Sequence, residues 1–362
     1  MLTGRRLLNF SSNDYLGLAA DPHLREAAKA AIDRFGVGSG ASRLVCGTMA
    51  PHRDLEERLA AFKKSEAALT FSSGYAAALG TLSALARSSD VIVLDKLCHA
   101  SLIDGARLSG ATIRVFPHND LNKLESHLRW ARKHFPSGRL IVVTESVFSM
   151  DGDLSPLEDI VDLKDRYGAF LLLDEAHAVG VRGRNGRGVA FERGLSDRID
   201  LHMGTLSKAL GGSGGYVCGR RRSIELLTNK ARSFIYSTAP GPAAAATSCA
   251  ALDFLLSEDG ESRRQKLAAN LVYFARECTA FSGAAFPPAS AIIPVILGSS
   301  QAALSAAESL LDAGFLIPAI RFPTVAKNAA RLRVTLSALH EPSQIRELGV
   351  LLNGIRNRLR AP

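Results

Sequence analysis

The most regular feature of this chain is a repeated exchange between two hydrophobic patterns. Short, nearly continuous apolar runs (AALTF, VIVLD, ATIRVF, LIVVTE, AFLLLD and LHMGT) alternate with longer segments whose apolar positions recur every three or four residues. The longer segments, PHRDLEERLAAFKK, GYAAALGTLSALA, ASLIDGARL, DLNKLESHLRWARK and PLEDIVDLKDRYG, read as amphipathic helices. Apolar runs without in-out alternation suit strands covered on both faces, and helices between them impose right-handed crossovers. The pattern therefore predicts an α/β domain around a mostly parallel sheet. A leading helix is read at HLREAAKAAIDRF, with Asp21 as its cap, Pro22 in its first turn and Gly36, Gly38 and Gly40 stopping it.

Beyond Glu258-Asp259-Gly260 the order changes to helix, strand IIPVIL, helix AALSAAESLLDAG, strand RLRVTL and a last helix SQIRELGVLLNGIRNRL, which predicts a smaller α+β domain. The expected division is an N-terminal segment over 1–45, a large domain over 46–258 and a small C-terminal domain over 259–362. The Ala-rich stretch PGPAAAATSCAALDFLL reads as a tightly packed helix bridging the last two.

Composition narrows the function classes. With 362 residues, 47% hydrophobic and 22% charged, the chain can bury sizeable cores. No apolar run approaches the roughly 20 residues that cross a bilayer, and the start has too short an apolar stretch for a secretion signal, so the expected location is the cytoplasm, away from membranes. Five widely spaced cysteines with no C-x-x-C pair read as reduced packing residues, and no metal site is expected. The net charge of +9 can steer anionic partners such as phosphates, coenzyme A or an acidic carrier protein, but a scattered basic surface is the commoner explanation. Arg220-Arg221-Arg222 and Arg263-Arg264 lack interleaved aromatics, so they read as solvated faces and nucleic acid is not expected.

Candidate chemistry gathers at strand ends. Asp174 closes the run AFLLLD, placing a carboxylate at the carboxyl end of a buried strand, where open α/β sheets bind ligands. LLLDEAH also looks like the acidic strand end of a helicase-type ATPase, but no lysine of the chain directly follows a glycine, so the phosphate-binding loop such an enzyme needs is missing. The glycines Gly36, Gly38 and Gly40 follow a helix rather than a strand, which removes the dinucleotide reading. A buried Asp174 suits a pyridine cofactor instead, because it can keep the ring nitrogen protonated and the ring an electron sink. His177 follows it and can reach the cofactor's phenolic oxygen if the chain turns back, although a lone histidine after a strand is more often a surface or core-satisfied residue. Lys208 lies in GTLSKALGG, an apolar loop whose flanking glycines admit a bulky ligand, as a Schiff-base lysine requires, the alternative being an ordinary exposed loop lysine. Thr205 and the stretch Ser72-Ser73-Gly74-Tyr75, at a strand-to-helix turn, offer hydroxyls and amides for a phosphate. Arg331 and Arg333 flank Leu332 in a strand and point the same way, so a guanidinium there can clamp a carboxylate or simply pair at the surface.

These segments together resemble the α-oxoamine synthases, which are pyridoxal-phosphate enzymes of fold type I, the aspartate-aminotransferase-like fold. The likeness runs from Asn9 almost to the C-terminus through NFSSNDYLGL, FGVGSGASRLVCGT, DKLCHASLIDGA, TESVFSMDGD, LLLDEAHAVGVRGRNGRG, GTLSKALGG, IYSTAPGP, AIRFPTV and RLRVTLSALHE. The resemblance implies pyridoxal 5'-phosphate as cofactor, with Lys208 as its covalent anchor, Asp174 on the ring nitrogen, His177 and Ser149 on the phenolic side, and His99 stacked on the ring. It implies a phosphate site from Ser73, Gly74, Tyr75 and Thr205, with Thr238 reaching the phosphate of a neighbouring subunit in a homodimer with shared active sites. Glu145 is implied near the cofactor, Asn13 near the substrates, Thr324 in an acyl-chain pocket, and Arg333 on the amino-acid carboxylate.

The activity it implies is condensation of a small amino acid with an acyl-coenzyme A or acyl-carrier-protein thioester, with loss of carbon dioxide. AIRFPTV and SMDGDLSPL favour the 8-amino-7-oxononanoate synthase branch, which uses L-alanine and a pimeloyl thioester. HAVG after the aspartate is equally similar to the glycine-using 2-amino-3-ketobutyrate ligase branch, and Phe322 stands where the first branch has proline. The family's leading segment, which supplies a substrate-binding arginine, does not precede NFSSNDYLGL here, so a cofactor-free binding protein on the same fold is the alternative of a different class.

Overall fold

The computed structural model describes residues 4–278 and 288–360. The chain forms two compact units, one comprising Leu18–Phe148 and Leu154–Gly260, the other Met1–Gly17, Ser149–Asp153 and Glu261–Pro362.

The first unit is built on a seven-stranded sheet. Its order is Ala67–Phe71, Gly215–Gly219, Leu201–Thr205, Phe170–Asp174, Leu140–Glu145, Val91–Asp95 and Thr112–Phe116. All pairings are parallel except those of Gly215–Gly219, which runs antiparallel to both neighbours. The apolar runs read from the sequence are these strands, and the central ones are buried along their whole length, as expected for strands covered on both faces. The edge strand Thr112–Phe116 is only partly covered, which explains why Arg114 is tolerated there. Gly215–Gly219 was not expected from the sequence. Its glycines mark a turn rather than a strand, yet a Cβ on Gly215 would stand 2.5 Å from the Ser73 carbonyl oxygen, so glycine is what lets the strand lie against the turn at Ser73–Gly74.

Helices Gly74–Leu85, Ala100–Leu108 and Arg221–Lys230 close one face of this sheet around a core that includes Leu82, Leu102, Val143, Leu172, Met203 and Leu227. Helix Pro22–Phe35 is capped as predicted by Asp21, which accepts the His23 amide, and is stopped by Gly36 at φ 79°. The Ala-rich segment is helix Pro242–Leu256, whose small side chains allow close packing on Pro22–Phe35 and Ala50–Lys63.

The second unit carries a three-stranded antiparallel sheet in the order Ala319–Ile320, Ala330–Thr335, Ile292–Gly298. It also holds helices Ser300–Asp312 and Pro342–Arg360 and a short parallel pairing of Leu8–Asn9 with Phe315–Leu316. Among the described residues no helix is long and apolar enough to cross a membrane. The cysteines form no disulfide; Cys98, Cys218 and Cys278 are buried, whereas Cys46 is exposed and is not the packing residue expected.

Candidate functional site

Parallel strands place their carboxyl ends along one edge of the sheet, and a cavity of about 240 Å³ opens there in the first unit. Asp174, Glu145 and Thr205 enter from three strand ends. Gly74 and Tyr75 begin a helix, His99 caps another, and Lys208 comes from the loop after Leu201–Thr205. His177 lines the same cavity, so the chain after Asp174 does turn back as the histidine reading required.

Asp174 is 5% exposed. Its Oδ1 accepts the Ala176 amide at 2.8 Å, and its other oxygen has no hydrogen-bond donor among the described residues. Burial raises its pKa, while the Lys208 charge, the Ala176 amide and His99 pull it back. Such a carboxylate is poised for a cationic N–H.

His99 Nδ1 accepts the Ser101 amide at 3.2 Å, which leaves the ring proton on Nε2. Burial lowers its pKa, Asp174 opposes the shift and Lys208 adds to it, so the ring is a neutral, flat surface at neutral pH. Its own amide donates to Glu145 Oε1.

At the other end of the cavity, helix Gly74–Leu85 presents its N-terminal amides, whose first turn has no intrahelical acceptors to satisfy. Ser73 caps this helix, accepting the Ala76 amide at 3.0 Å. The Thr205 hydroxyl lies 2.8 Å from that of Ser207 and donates to the Gly214 carbonyl at 3.0 Å.

The cavity thus gathers Ser73, Gly74, Tyr75, His99, Glu145, Asp174, His177, Thr205 and Lys208, all named from the sequence, and adds Ser101, Ala176, Met203, Gly204 and Ser207, which were not. Ser101 and Ser207 each sit two residues from a named residue and bond to it, a local signal that was available. Thr238 does not line it; it forms an isolated bridge with Ser42. Asn13, Ser149, Thr324 and Arg333 belong to the second unit.

There the two candidate arginines separate. Arg331 is held by Asp151 at 2.6 Å. Arg333 is equally buried, but among the described residues its side chain bonds to neutral groups, the Ser149 carbonyl at 2.6 Å, Asn13 Oδ1 at 3.1 Å and the Tyr15 side chain. Its charge lacks a carboxylate among the described residues. Thr324 is exposed.

A larger cavity, about 620 Å³, lies at the opposite strand ends, lined by Arg132, Arg139, Arg220 and Arg222. Size does not make it the chemical site: Arg132 is spent on the carbonyls of Tyr167, Gly138 and Gly168, and the Asp200 carboxylate holds Lys164.

A covalent-capable lysine, a buried carboxylate with an open oxygen, a neutral imidazole and a helix N-terminus with hydroxyls are the groups that an aldehyde, a pyridine nitrogen, an aromatic ring and a phosphate require, so the residues fit pyridoxal phosphate. The family model for class I and II aminotransferases matches residues 5–349. The chain belongs to that family. As a member it is a pyridoxal-phosphate enzyme with the fold-type-I transferase fold, as the sequence implied, and the cofactor-free alternative falls. It is 47% identical over 342 residues to an 8-amino-7-oxononanoate synthase of Geobacter sulfurreducens, covering 94% of this chain and 87% of that protein. A serine palmitoyltransferase of S. paucimobilis, solved with a bound pyridoxal-phosphate adduct of myriocin, superposes with a TM-score of 0.92 at 31% identity, covering 98% of this chain and 88% of that one. A crystal structure of 8-amino-7-oxononanoate synthase from Francisella tularensis superposes with a TM-score of 0.81 at 28% identity, covering 98% of both chains.

Proposed function

We propose that this enzyme joins L-alanine to a pimeloyl thioester, carried by coenzyme A or a carrier protein, releasing carbon dioxide, free thiol and 8-amino-7-oxononanoate. The observation that carries the chemistry is the single cavity on which Lys208, Asp174, His177 and His99 converge; the substrates are taken from the relatives' names and the AIRFPTV motif.

When bound, pyridoxal phosphate supplies an electron sink for the pairs left by breaking the Cα–H and Cα–carboxylate bonds. Asp174 would hold the proton of the ring nitrogen with its open oxygen, His99 would offer a flat surface to the ring, and His177 and Ser149 would bond the phenolic oxygen. Lys208 would anchor the cofactor covalently, and its amine would take up the proton from the substrate Cα. Gly74, Tyr75, Ser73 and Thr205 hold the phosphate, joined by Thr238 of a neighbouring copy in a homodimer. Arg333, lacking a carboxylate partner, clamps that of the amino acid, with Asn13 beside it; Thr324 contacts the acyl chain.

Incubating the purified protein with pimeloyl-coenzyme A and either L-alanine or glycine, and measuring thiol and carbon dioxide release, tests the reading. Selective turnover of alanine is expected. Preference for glycine favours the ketobutyrate-ligase branch, which His177-Ala178-Val179-Gly180 also supports. No release from either sinks the acyl-transfer function.

A further inference from the structure

Glu145 and Asp174 end adjacent parallel strands and are partners in register. Neighbouring strands lie about 4.8 Å apart and paired residues face the same side, so the two carboxylates share one edge of the cavity. Glu145 is 3% exposed and Asp174 5%. The groups facing Glu145 from the surrounding elements are Asp174, Lys208, His99, Asp95 and Cys98. His99 is neutral, and the Asp95 carboxylate is committed to the amides of Leu97 and Asn119 and to His118. Among the described lysines and arginines, Lys208 is the one whose charge acts on both carboxylates, and His177 lines the same cavity. Two buried carboxylates that end paired strands and line one cavity disfavour each other's ionised form, which favours a proton on one of them. Burial pushes both upward, but Glu145 is next most affected by repulsion from Asp174, whereas Asp174 is next most affected by attraction to Lys208.

We propose that Glu145 is the proton-holding member of a carboxylate pair: as a neutral acid it leaves Asp174 the anion that a pyridine nitrogen needs, and it positions His99 by accepting its main-chain N–H. The proposal rests on the reading of this cavity as the pyridoxal-phosphate site. It makes Glu145 a positioning residue, acting through Asp174 and His99.

The test is infrared difference spectroscopy of the whole protein across pH, with and without bound cofactor, on the wild type, Glu145→Gln and Asp174→Asn. The wild type is expected to show a protonated-carboxyl C=O band at neutral pH that fades as pH rises. Glu145→Gln should lack that band. Asp174→Asn, relieved of repulsion, should lose it at lower pH. A band that survives Glu145→Gln, or whose transition is unmoved in Asp174→Asn, overturns the proposal. Cofactor affinity supplies the second readout. Glutamine is neutral and still accepts the His99 amide, whereas Glu145→Ala leaves that amide unsatisfied, so Glu145→Gln should bind pyridoxal phosphate about tenfold or more tighter than Glu145→Ala. Equal weakening of the two would mean that the charge is required, and the proposal fails. Wild type that shows the band but binds no pyridoxal phosphate would refute the cofactor reading instead.

Discussion

Replacing Glu175 by glutamine tests whether a buried ion pair behind Asp174 fastens the site. The Lys63 and Glu175 side chains are both fully buried, with Nζ 2.5 Å from Oε2. Lys63 also donates to the Arg187 carbonyl at 2.6 Å, while Glu175 accepts the Ala190 amide at 3.1 Å and faces His202 Nδ1 at 3.3 Å. Glutamine preserves the shape and can still accept the Ala190 amide, but it leaves a buried ammonium without counter-charge. Breaking such a pair from one side costs about 3–5 kcal/mol. At about 2–4 °C per kcal/mol for a domain of this size class, melting should fall by about 6–20 °C. The pair also sets an acid limit. Burial alone would raise the Glu175 carboxyl, yet Lys63 and His202 together bring it from its ordinary 4.5 down to about 2. A carboxyl depressed by folding stabilises fully above its unfolded value, and that stabilisation disappears as pH falls toward the folded one. The wild type should therefore lose stability between about pH 4.5 and 2 with a slope that Glu175→Gln lacks. Thermal unfolding followed by circular dichroism on the wild type, Lys63→Met, Glu175→Gln and the double variant measures all of this. The double variant should recover most of the loss, because no bare ion remains. A Glu175→Gln protein melting within about 2 °C of the wild type, or a double variant no better than the sum of the single ones, refutes the reasoning.

Lys208→Ala should abolish the visible absorbance of lysine-bound cofactor and lower turnover by about 10²–10⁴ or more, read by absorbance and steady-state assay; retained turnover would remove Lys208 from its role. Arg333→Ala should raise KM for the amino acid by roughly ten- to a hundredfold, since charge-assisted hydrogen bonds contribute about 1.5–3 kcal/mol each. Arg331→Ala, which frees Asp151, should mainly lower the melting temperature, and equal KM effects of the two variants would break the distinction drawn between them. Gly215→Ala should weaken cofactor binding in equilibrium dialysis, because its Cβ would meet Ser73 and Gly74 within 2.6 Å and displace the turn proposed to hold the phosphate; unchanged affinity would mean the turn yields elsewhere.

The sheet was legible because strands buried on both faces write themselves as unbroken apolar runs. Asp174 and Lys208 were legible because each terminates such a run or follows one. Gly215–Gly219 was not, since the glycines required by its close approach to Ser73 carry the local signature of a turn. Nor was the Glu145–Asp174 pairing, which depends on the register between strands some 30 residues apart. The Lys63–Glu175 pair joins a helix end to a post-strand turn, and an isolated lysine in a helix reads as a solvated one. Thr238 was placed by resemblance, and its position lies outside the cavity lining of a single chain.

The pairing of Leu8–Asn9 with Phe315–Leu316 imposes a schedule on synthesis. Leu8–Asn9 leaves the ribosome about 300 residues ahead of its partner, an interval of roughly 15–60 s at ordinary elongation rates. The seven-stranded sheet is complete once Gly219 has emerged and its unit once Gly260 has, so the unit that houses Lys208 and Asp174 can assemble while Leu8–Asn9 is still waiting. A chain stalled before residue 315 would then carry a formed cofactor cavity and an unmatched strand edge, which is a template for misassociation rather than an enzyme.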